Sequence, residues 1–258
     1  MVVLNRIRAS WYDKRHHLAL GDTIKQYTLI KKLGEGRYGM VYLGSYLNKK
    51  VIIKQLKREA FLQSPEKIKF EIETLKAIAD LKDPRFPIYK GKFKREYVCG
   101  FILDYKEGDT LEHIINYQKV KYTKPEILNF TFQILDMLEI LHSKNIVHKD
   151  IRIPNLILNN GQLSLIDFGL ARFINNTKYK VELDFWYLGD FIIHLLYDLY
   201  DKKDKSLFDK PWYKQLNLSE KELFFLKRLM RINSHSHPKY ESVDEIRKDL
   251  LLGDIFSI

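Results

Sequence analysis

The chain carries one cysteine, Cys99. With no second thiol no disulfide can form within it, which fits a reducing compartment. Long apolar runs are missing as well. The opening Met1–Leu4 is too short for the apolar region of a secretory signal, and Arg6 and Arg8 follow it. The most apolar helical stretch, residues 191–200, holds His194 and Asp198 inside it. It is too short and too polar to cross a bilayer. There is no internal repeat and no low-complexity tract. These absences predict a cytoplasmic protein without a transmembrane segment.

What is present is the composition of an ordinary globular protein. Of 258 residues, 45% are hydrophobic and 30% charged, enough chain for two lobes or one large domain. The formal net charge is +11 and is unevenly placed. Residues 1–100 hold 22 Lys and Arg against 10 Asp and Glu, whereas residues 101–258 hold 22 against 23. Such a basic field attracts polyanions, or it is simply a lysine-rich solvated surface. Residues 1–26 read as a basic extension, with Trp11 and Tyr12 among Arg6, Arg8, Lys14 and Arg15. Basic side chains interleaved with aromatics suit DNA or an anionic membrane. The competing expectation is that Trp11 and Tyr12 pack against the body of the protein.

From Tyr27 the pattern becomes β. Residues 27–33, 40–46 and 50–56 are short, rich in β-branched and aromatic residues, and separated by turn residues. Residues 65–81 predict a helix, with Ile68, Ile72, Leu75 and Ile78 at helical spacing and Ser64-Pro65 as its start. Two further strands are expected at 86–93 and 97–104. After Gly108 the chain turns helical, over 110–117, 124–143, 181–200, 219–230 and 242–251, with loops and short strands at 146–168. A β-rich front with one helix and a helical rear is a two-lobed α+β design, and a cleft between lobes is the default ligand site.

Four constellations carry chemistry. Gly34-x-Gly36-x-x-Gly39 lies between two strands; glycines there let backbone N–H groups approach phosphates, although three glycines could equally make only a turn. Lys54 ends the apolar strand Val51-Ile52-Ile53-Lys54 and needs an anionic partner. Glu71 on the next helix is preferred over Glu73, which falls off the face shared by Ile68, Ile72 and Leu75. A Lys–Glu pair would hold the ammonium against nucleotide phosphates. In the run from His148 to Asn155, Asp150 can orient or deprotonate an attacking hydroxyl, Asn155 can coordinate magnesium, and Arg152 can steady a transferred phosphoryl group. His148 reads as a packing histidine. Asp167-Phe168-Gly169 follows the apolar residues 163–166 and puts a carboxylate where it can hold metal.

In this order and on these elements, the residues resemble the eukaryotic-like (Hanks-type) protein kinases, with the small soluble bacterial members most similar. The resemblance covers about residues 27–251 and rests on Gly34, Gly36, Gly39, Lys54, Glu71, Asp150, Asn155 and Asp167. It implies a bilobal kinase fold, with an N-lobe at 27–104 and a C-lobe at 105–258. It implies ATP with magnesium, or manganese in its place, and transfer of the γ-phosphate to protein hydroxyls, the protein's own included. It makes Asp104-Tyr105-Lys106 the hinge that binds adenine and Leu103 the gatekeeper behind it. Leu33, Val41, Ile52 and Ile157 sandwich the base, and Asp184, in the run Asp184–Gly189, braces the catalytic loop. Serine or threonine is favoured over tyrosine as acceptor because Arg152 stands two residues after Asp150.

The departures from the family are specific. Only residues 170–183 separate Gly169 from Asp184, less than half the usual length, and no Ala-Pro-Glu occurs. The arginine that pairs with that glutamate is missing too: its expected place is near Tyr240–Glu241, and neither can serve. Losing both partners is coherent, since a lone buried arginine is costly. Lys149 replaces the arginine that in many members clamps a phosphorylated activation loop, and makes a weaker, unforked contact. Ile52 stands where alanine is usual. Two other classes compete with a protein kinase: a phosphotransferase needing no peptide platform (aminoglycoside- or choline-kinase-like, or the small atypical kinase of the tRNA-modifying complex), which also has a short segment after the metal aspartate, and a pseudokinase, against which the retention of Lys54, Glu71, Asp150, Asn155 and Asp167 speaks.

Overall fold

The computed structural model describes residues 12, 13, 15–36, 38–63, 65–175, 177–199, 210–232 and 238–256. Trp11, Arg6, Arg8 and Lys14 of the basic extension, and Ser64 of the expected helix start, lie outside them. The chain divides into two compact units, Met1–Glu107 and Gly108–Ile258.

Unit 1 is built on a six-stranded antiparallel sheet. Its strands are β1 (Thr23–Ile24), β2 (Tyr27–Glu35), β3 (Gly39–Tyr46), β4 (Lys49–Leu56), β5 (Tyr89–Arg95) and β6 (Val98–Asp104), in the order β1-β2-β3-β4-β6-β5. The period of two along β4 buries Val51, Ile53 and Gln55 on one face and leaves Ile52 and Lys54 on the other. Leu29, Met40, Tyr42, Val51, Ile53, Phe93 and Ile102 form the core on the first face, joined by Leu18 and Ile24. Residues 18–24, read from sequence as part of an extension, therefore supply core side chains.

Two helices follow β4. The short α1 (Arg58–Gln63) is absent from the sequence expectation; α2 (Pro65–Ala79) is the expected helix, two residues shorter. Its buried stripe is Ile68, Glu71, Thr74, Leu75 and Ile78. Ile72 is only half-buried, so the stripe centres on Glu71, one residue from where apolar spacing puts it. The strand expected at 86–93 begins only at Tyr89. Pro84 and Pro87 have no N–H to give a ladder, and Asp83 instead gathers Arg85 N at 2.9 Å while its carbonyl accepts from Phe86 N at 3.2 Å.

Unit 2 is mainly helical: α3 (Leu111–Asn116), α4 (Lys124–Ser143), α5 (Glu182–Leu199), α6 (Trp212–Gln215), α7 (Glu220–Leu229) and α8 (Val243–Leu252). Thr123 and Glu126 cap α4 reciprocally, with Pro125 in the first turn. Its buried residues Ile127, Phe130, Thr131, Ile134, Leu138 and Leu141 form one stripe. That stripe packs on α5 and α8, and α5 packs in turn on α7. Short strands complete the unit: β7 (Asp109–Thr110), β8 (Ile146–Val147), β9 (Leu156–Asn159), β10 (Gln162–Leu165) and β11 (Arg172–Phe173). β9 and β10 form a hairpin around Asn160-Gly161, both at positive φ, as a tight two-residue turn between twisted strands demands. β8 pairs with β11. Among the described residues no helix is long and apolar enough to cross a membrane.

Candidate active site

In unit 1 the ladders fix one functional face. Val41 pairs with Lys54 across β3 and β4, and Ile52 pairs with Leu103 across β4 and β6. Directly paired residues share a face, so Val41, Ile52, Lys54 and Leu103 stand together, opposite the core. Leu33 sits at a register shift in β2 and is 44% exposed. Lys54 Nζ lies 2.5 Å from Glu71 Oε1, and both side chains are nearly buried. Glu73 faces Lys69 instead, at 3.8 Å. The ammonium also lies 5.7 Å from the Phe101 ring centroid.

The glycine-rich hairpin holds two kinds of glycine. At Gly39 a Cβ would fall 2.2 Å from the Gln55 carbonyl oxygen, so the close approach of β3 to β4 requires glycine there. At Gly34 and Gly36 a Cβ would meet nothing within 4 Å, and neither has a positive φ. The packing of the chain gives no reason for glycine at those two positions. Between them, Glu35 is held by Lys32 at 2.7 Å and Lys57 at 2.6 Å. Hydrogen bonds from these two ammonium groups pull its carboxyl down to about 2.

At the expected hinge the side chains are already engaged. Lys106 Nζ pairs with Asp104 Oδ2 at 2.9 Å and donates to the Pro84 carbonyl at 2.7 Å, while Asp104 Oδ1 accepts from Ile88 N. Asp104 and Lys106 thus lock the 83–88 turn to the end of β6. Ile157, half-buried on β9, belongs to unit 2.

In unit 2 the loop after β8 carries Asp150. Its Oδ1 is ion-paired with Arg152, 2.9 Å from Nε, and its Oδ2 accepts from Asn155 Nδ2 at 2.7 Å. Asn155 Nδ2 also donates to the Asp150 carbonyl at 2.9 Å. With the amide nitrogen turned to Asp150, the oxygen is the atom Asn155 can offer a cation. Asp167 is exposed, at φ 61, with its Oδ1 accepting from Gly169 N at 3.2 Å. Phe168 is buried edge-on against His148, 4.7 Å between ring centroids. Burial holds the His148 imidazole below its ordinary range, keeping it neutral. Among the described residues no three His, Cys, Asp or Glu are grouped to hold a metal. Magnesium does not need such a cage when phosphates supply most of its ligands.

The loop is anchored by Asp184, fully buried on α5. Its Oδ2 accepts from His148 N at 3.0 Å and lies 2.8 Å from His142 Nε2; its Oδ1 accepts from Lys149 N at 2.7 Å. Lys149 is thereby held in the left-handed region, at φ 65. His142, in the last turn of α4, escapes the sequence reading, because nothing local marks it as Asp184's partner.

The short segment after Asp167 is a closed turn. Asn175 Oδ1 accepts from Lys178 N at 2.8 Å and Tyr179 N at 2.9 Å. The Tyr179 ring lies under Lys149 Nζ at 4.6 Å, and the nearby Arg172 is buried and helps to lower the pKa of its phenol. Burial lowers the pKa of the Lys149 ammonium. Arg172 is a second residue that sequence reasoning passed over. Near the expected place of the missing arginine, Tyr240 is buried and donates to Asp249 Oδ2 at 2.5 Å, under Arg228, whose guanidinium carbon is 3.8 Å from the ring centroid. The neighbouring Lys239 pairs with Glu182 at 2.6 Å. A lysine–glutamate pair thus ties this region to the start of α5.

The comparisons with known proteins agree with one another. The protein kinase domain family matches residues 27–204. The probable serine/threonine-protein kinase YbdM of Bacillus subtilis (strain 168) is 32% identical over 232 residues, 87% of this chain and 88% of its own length. The mitogen-activated protein kinase kinase kinase 3 of Arabidopsis thaliana is 33% identical over 159 residues, 60% of this chain but 26% of that much longer protein. Among solved structures, a point mutant of the Mycobacterium tuberculosis PknI kinase domain superposes with a TM-score of 0.66 at 19% identity. That superposition covers 91% of this chain and 99% of the other, a likeness of fold. With a family match over more than half of its length and a bacterial relative aligned across most of both sequences, this chain belongs to the protein kinase family.

Proposed function

We propose that the chain is a serine/threonine protein kinase that moves the γ-phosphoryl group of magnesium-ATP to protein hydroxyls, its own included. The observation that carries this is the Asp150–Asn155 arrangement: a nearly buried carboxylate fixed by an amide whose oxygen is left for a cation. In this reading Asp150 accepts or orients the acceptor hydroxyl's proton, and Arg152 steadies charge on the transferred group. Asn155 and Asp167 would hold the metal, which supplies charge neutralisation on the phosphates. Lys54, positioned by Glu71, binds phosphate. The face of Val41, Ile52 and Leu103, with Leu33 at its margin, takes the adenine. Glycine at 34 and 36 suits backbone approach to phosphates. The name of the bacterial relative supports serine or threonine as acceptor.

A second reading, transfer to a non-protein hydroxyl, is favoured by the tight turn at 175–179, which replaces an extended docking segment. One experiment separates the two: labelled ATP offered with the protein alone, generic protein substrates, aminoglycosides and tRNA-modification partners, with Asp150→Asn as control. Label in protein serine or threonine, lost by at least about a hundredfold in the control, is the expected result. Label only in a small molecule or tRNA-modification partner would move the assignment to the second reading. A folded wild type that neither turns over ATP nor gains thermal stability with it would be a pseudokinase.

A further inference from the structure

We propose that residues 12–18 are a brace that fixes α2, and so holds Glu71 in place for Lys54. The proposal rests on the reading of Lys54 and Glu71 as the phosphate-binding pair. It begins from a helix without a local cap. α1 starts at Arg58 after Lys57, and a lysine side chain cannot accept from the free amides of a first turn. Six residues make an isolated helix unstable. The missing acceptor comes from far away in sequence: Asp13 Oδ1 takes Arg58 N at 2.7 Å, and Asp13 Oδ2 takes Glu59 N at 3.0 Å. Asp13 is buried, and a carboxylate at this position also suits the positive end of the helix.

The same segment grips the strand before α1. Gln55, buried beside Lys54 on β4, accepts from Leu18 N at 2.8 Å through Oε1 and donates to the His16 carbonyl at 3.0 Å through Nε2. Aromatic contacts stiffen the segment. Tyr12 stacks on His16 at 4.1 Å, and the Arg58 guanidinium lies 4.4 Å from the centre of the Tyr12 ring. Residues 12–18 therefore hold the chain on both sides of the link from Lys54 to α1, and a single residue separates the end of α1 from the start of α2. Nothing else described at the head of α1 replaces the carboxylate of Asp13.

The test uses full-length protein with Asp13→Ala, Asp13→Asn and, as a control just beyond the segment, Asp22→Ala. Asp22 binds Ala19 N and Arg95 and touches neither Gln55 nor α1. Amide hydrogen exchange is read over residues 58–63 and 65–79, and kcat and KM for ATP are measured alongside. Asp13→Ala should raise exchange in both helices by about tenfold and lower kcat by a similar factor. Asp13→Asn, which keeps one acceptor oxygen, should recover part of both losses. Asp22→Ala should leave 65–79 unchanged. Faster exchange confined to α1, with 65–79 and kcat at wild-type values, overturns the brace. So does equal loosening of 65–79 by Asp22→Ala. Should Asp13→Ala not fold, Asp13→Asn against Asp22→Ala decides by the same criteria. A wild type without phosphotransfer defeats the functional reading alone, because exchange over 65–79 still decides the brace.

Discussion

The two units hold their functional side chains by different means. In unit 1 the ammonium of Lys54 is at the tip of a flexible lysine and is paired with a carboxylate on α2. In unit 2 the key carboxylate sits in a loop whose backbone is pinned by a fully buried aspartate, and its own oxygens are taken by Arg152 and Asn155. One arrangement can be retuned by moving a helix. The other fails outright if its anchor is lost. Under the proposed function, adjustable phosphate contacts and a fixed acceptor-activating group would make a coherent division for an enzyme whose chemistry is mainly positioning.

The largest expected effect tests that contrast directly. Asp184→Ala leaves the His148 and Lys149 amides without their acceptor in a buried site, and should cost about 3–5 kcal/mol of stability by urea denaturation. Glu71→Gln keeps an acceptor for Lys54 and should cost only about 1 kcal/mol, yet lower phosphotransfer about a hundredfold. Equal stability losses would erase the distinction between the units.

The glycines sharpen it next. Gly39→Ala, forced against the Gln55 carbonyl, should destabilise by about 1–3 kcal/mol. Gly34→Ala and Gly36→Ala should fall within about 0.5 kcal/mol of wild type while weakening nucleotide binding in a thermal-shift titration. If they destabilise as Gly39→Ala does, those positions serve the fold and not a ligand.

A smaller effect belongs to unit 2 and pH. Burial, and then the hydrogen bond to Asp249, raise the Tyr240 phenol well above its ordinary value. A raised folded pKa gives stability that is complete below the unfolded value, about 10, and is lost as pH rises past it. The urea midpoint should fall between pH 10 and 11, with Tyr240 contributing at most about 1.4 kcal/mol per pH unit. Tyr240→Phe should flatten that slope. The smallest effect is expected at the segment after Asp167. Asn175 and the Tyr179 ring close this turn without phosphate, so Thr177→Ala with Tyr179→Phe should change kcat by less than about threefold, or 0.7 kcal/mol. A hundredfold loss would mean that hydroxyl phosphorylation, or the electrostatic contact of the Tyr179 phenol with Arg172, controls activity.

What was legible in the sequence follows how local each cause is. Helix α4 announced itself through Thr123, Pro125, Glu126 and its apolar spacing, and its bounds were read as they stand. Glu71 was separable from Glu73 by helical phase alone. Helix α1 was not legible, because its cap is 45 residues away at Asp13. His142 and Arg172 were silent for the same reason: their partners Asp184 and Tyr179 are brought to them by folding. The strand expected from Phe86 failed where Pro87 could not donate. The charge excess of residues 1–100 gave least, since in the described part of the extension Tyr12, Asp13, His16 and Leu18 engage the sheet and α1.

Asp184 also sets an order of assembly. Its three partners precede it by 35, 36 and 42 residues, so closing these contacts means closing long loops. During synthesis the chain emerges from its N-terminus, and residues 142–150 are made well before their anchor. The loop bearing Asp150 gains its bonds to Asp184 only once α5 has been made and docked. A nascent chain ending before residue 184 would carry Asp150, Asn155 and Asp167, yet lack the carboxylate that accepts from the His148 and Lys149 amides.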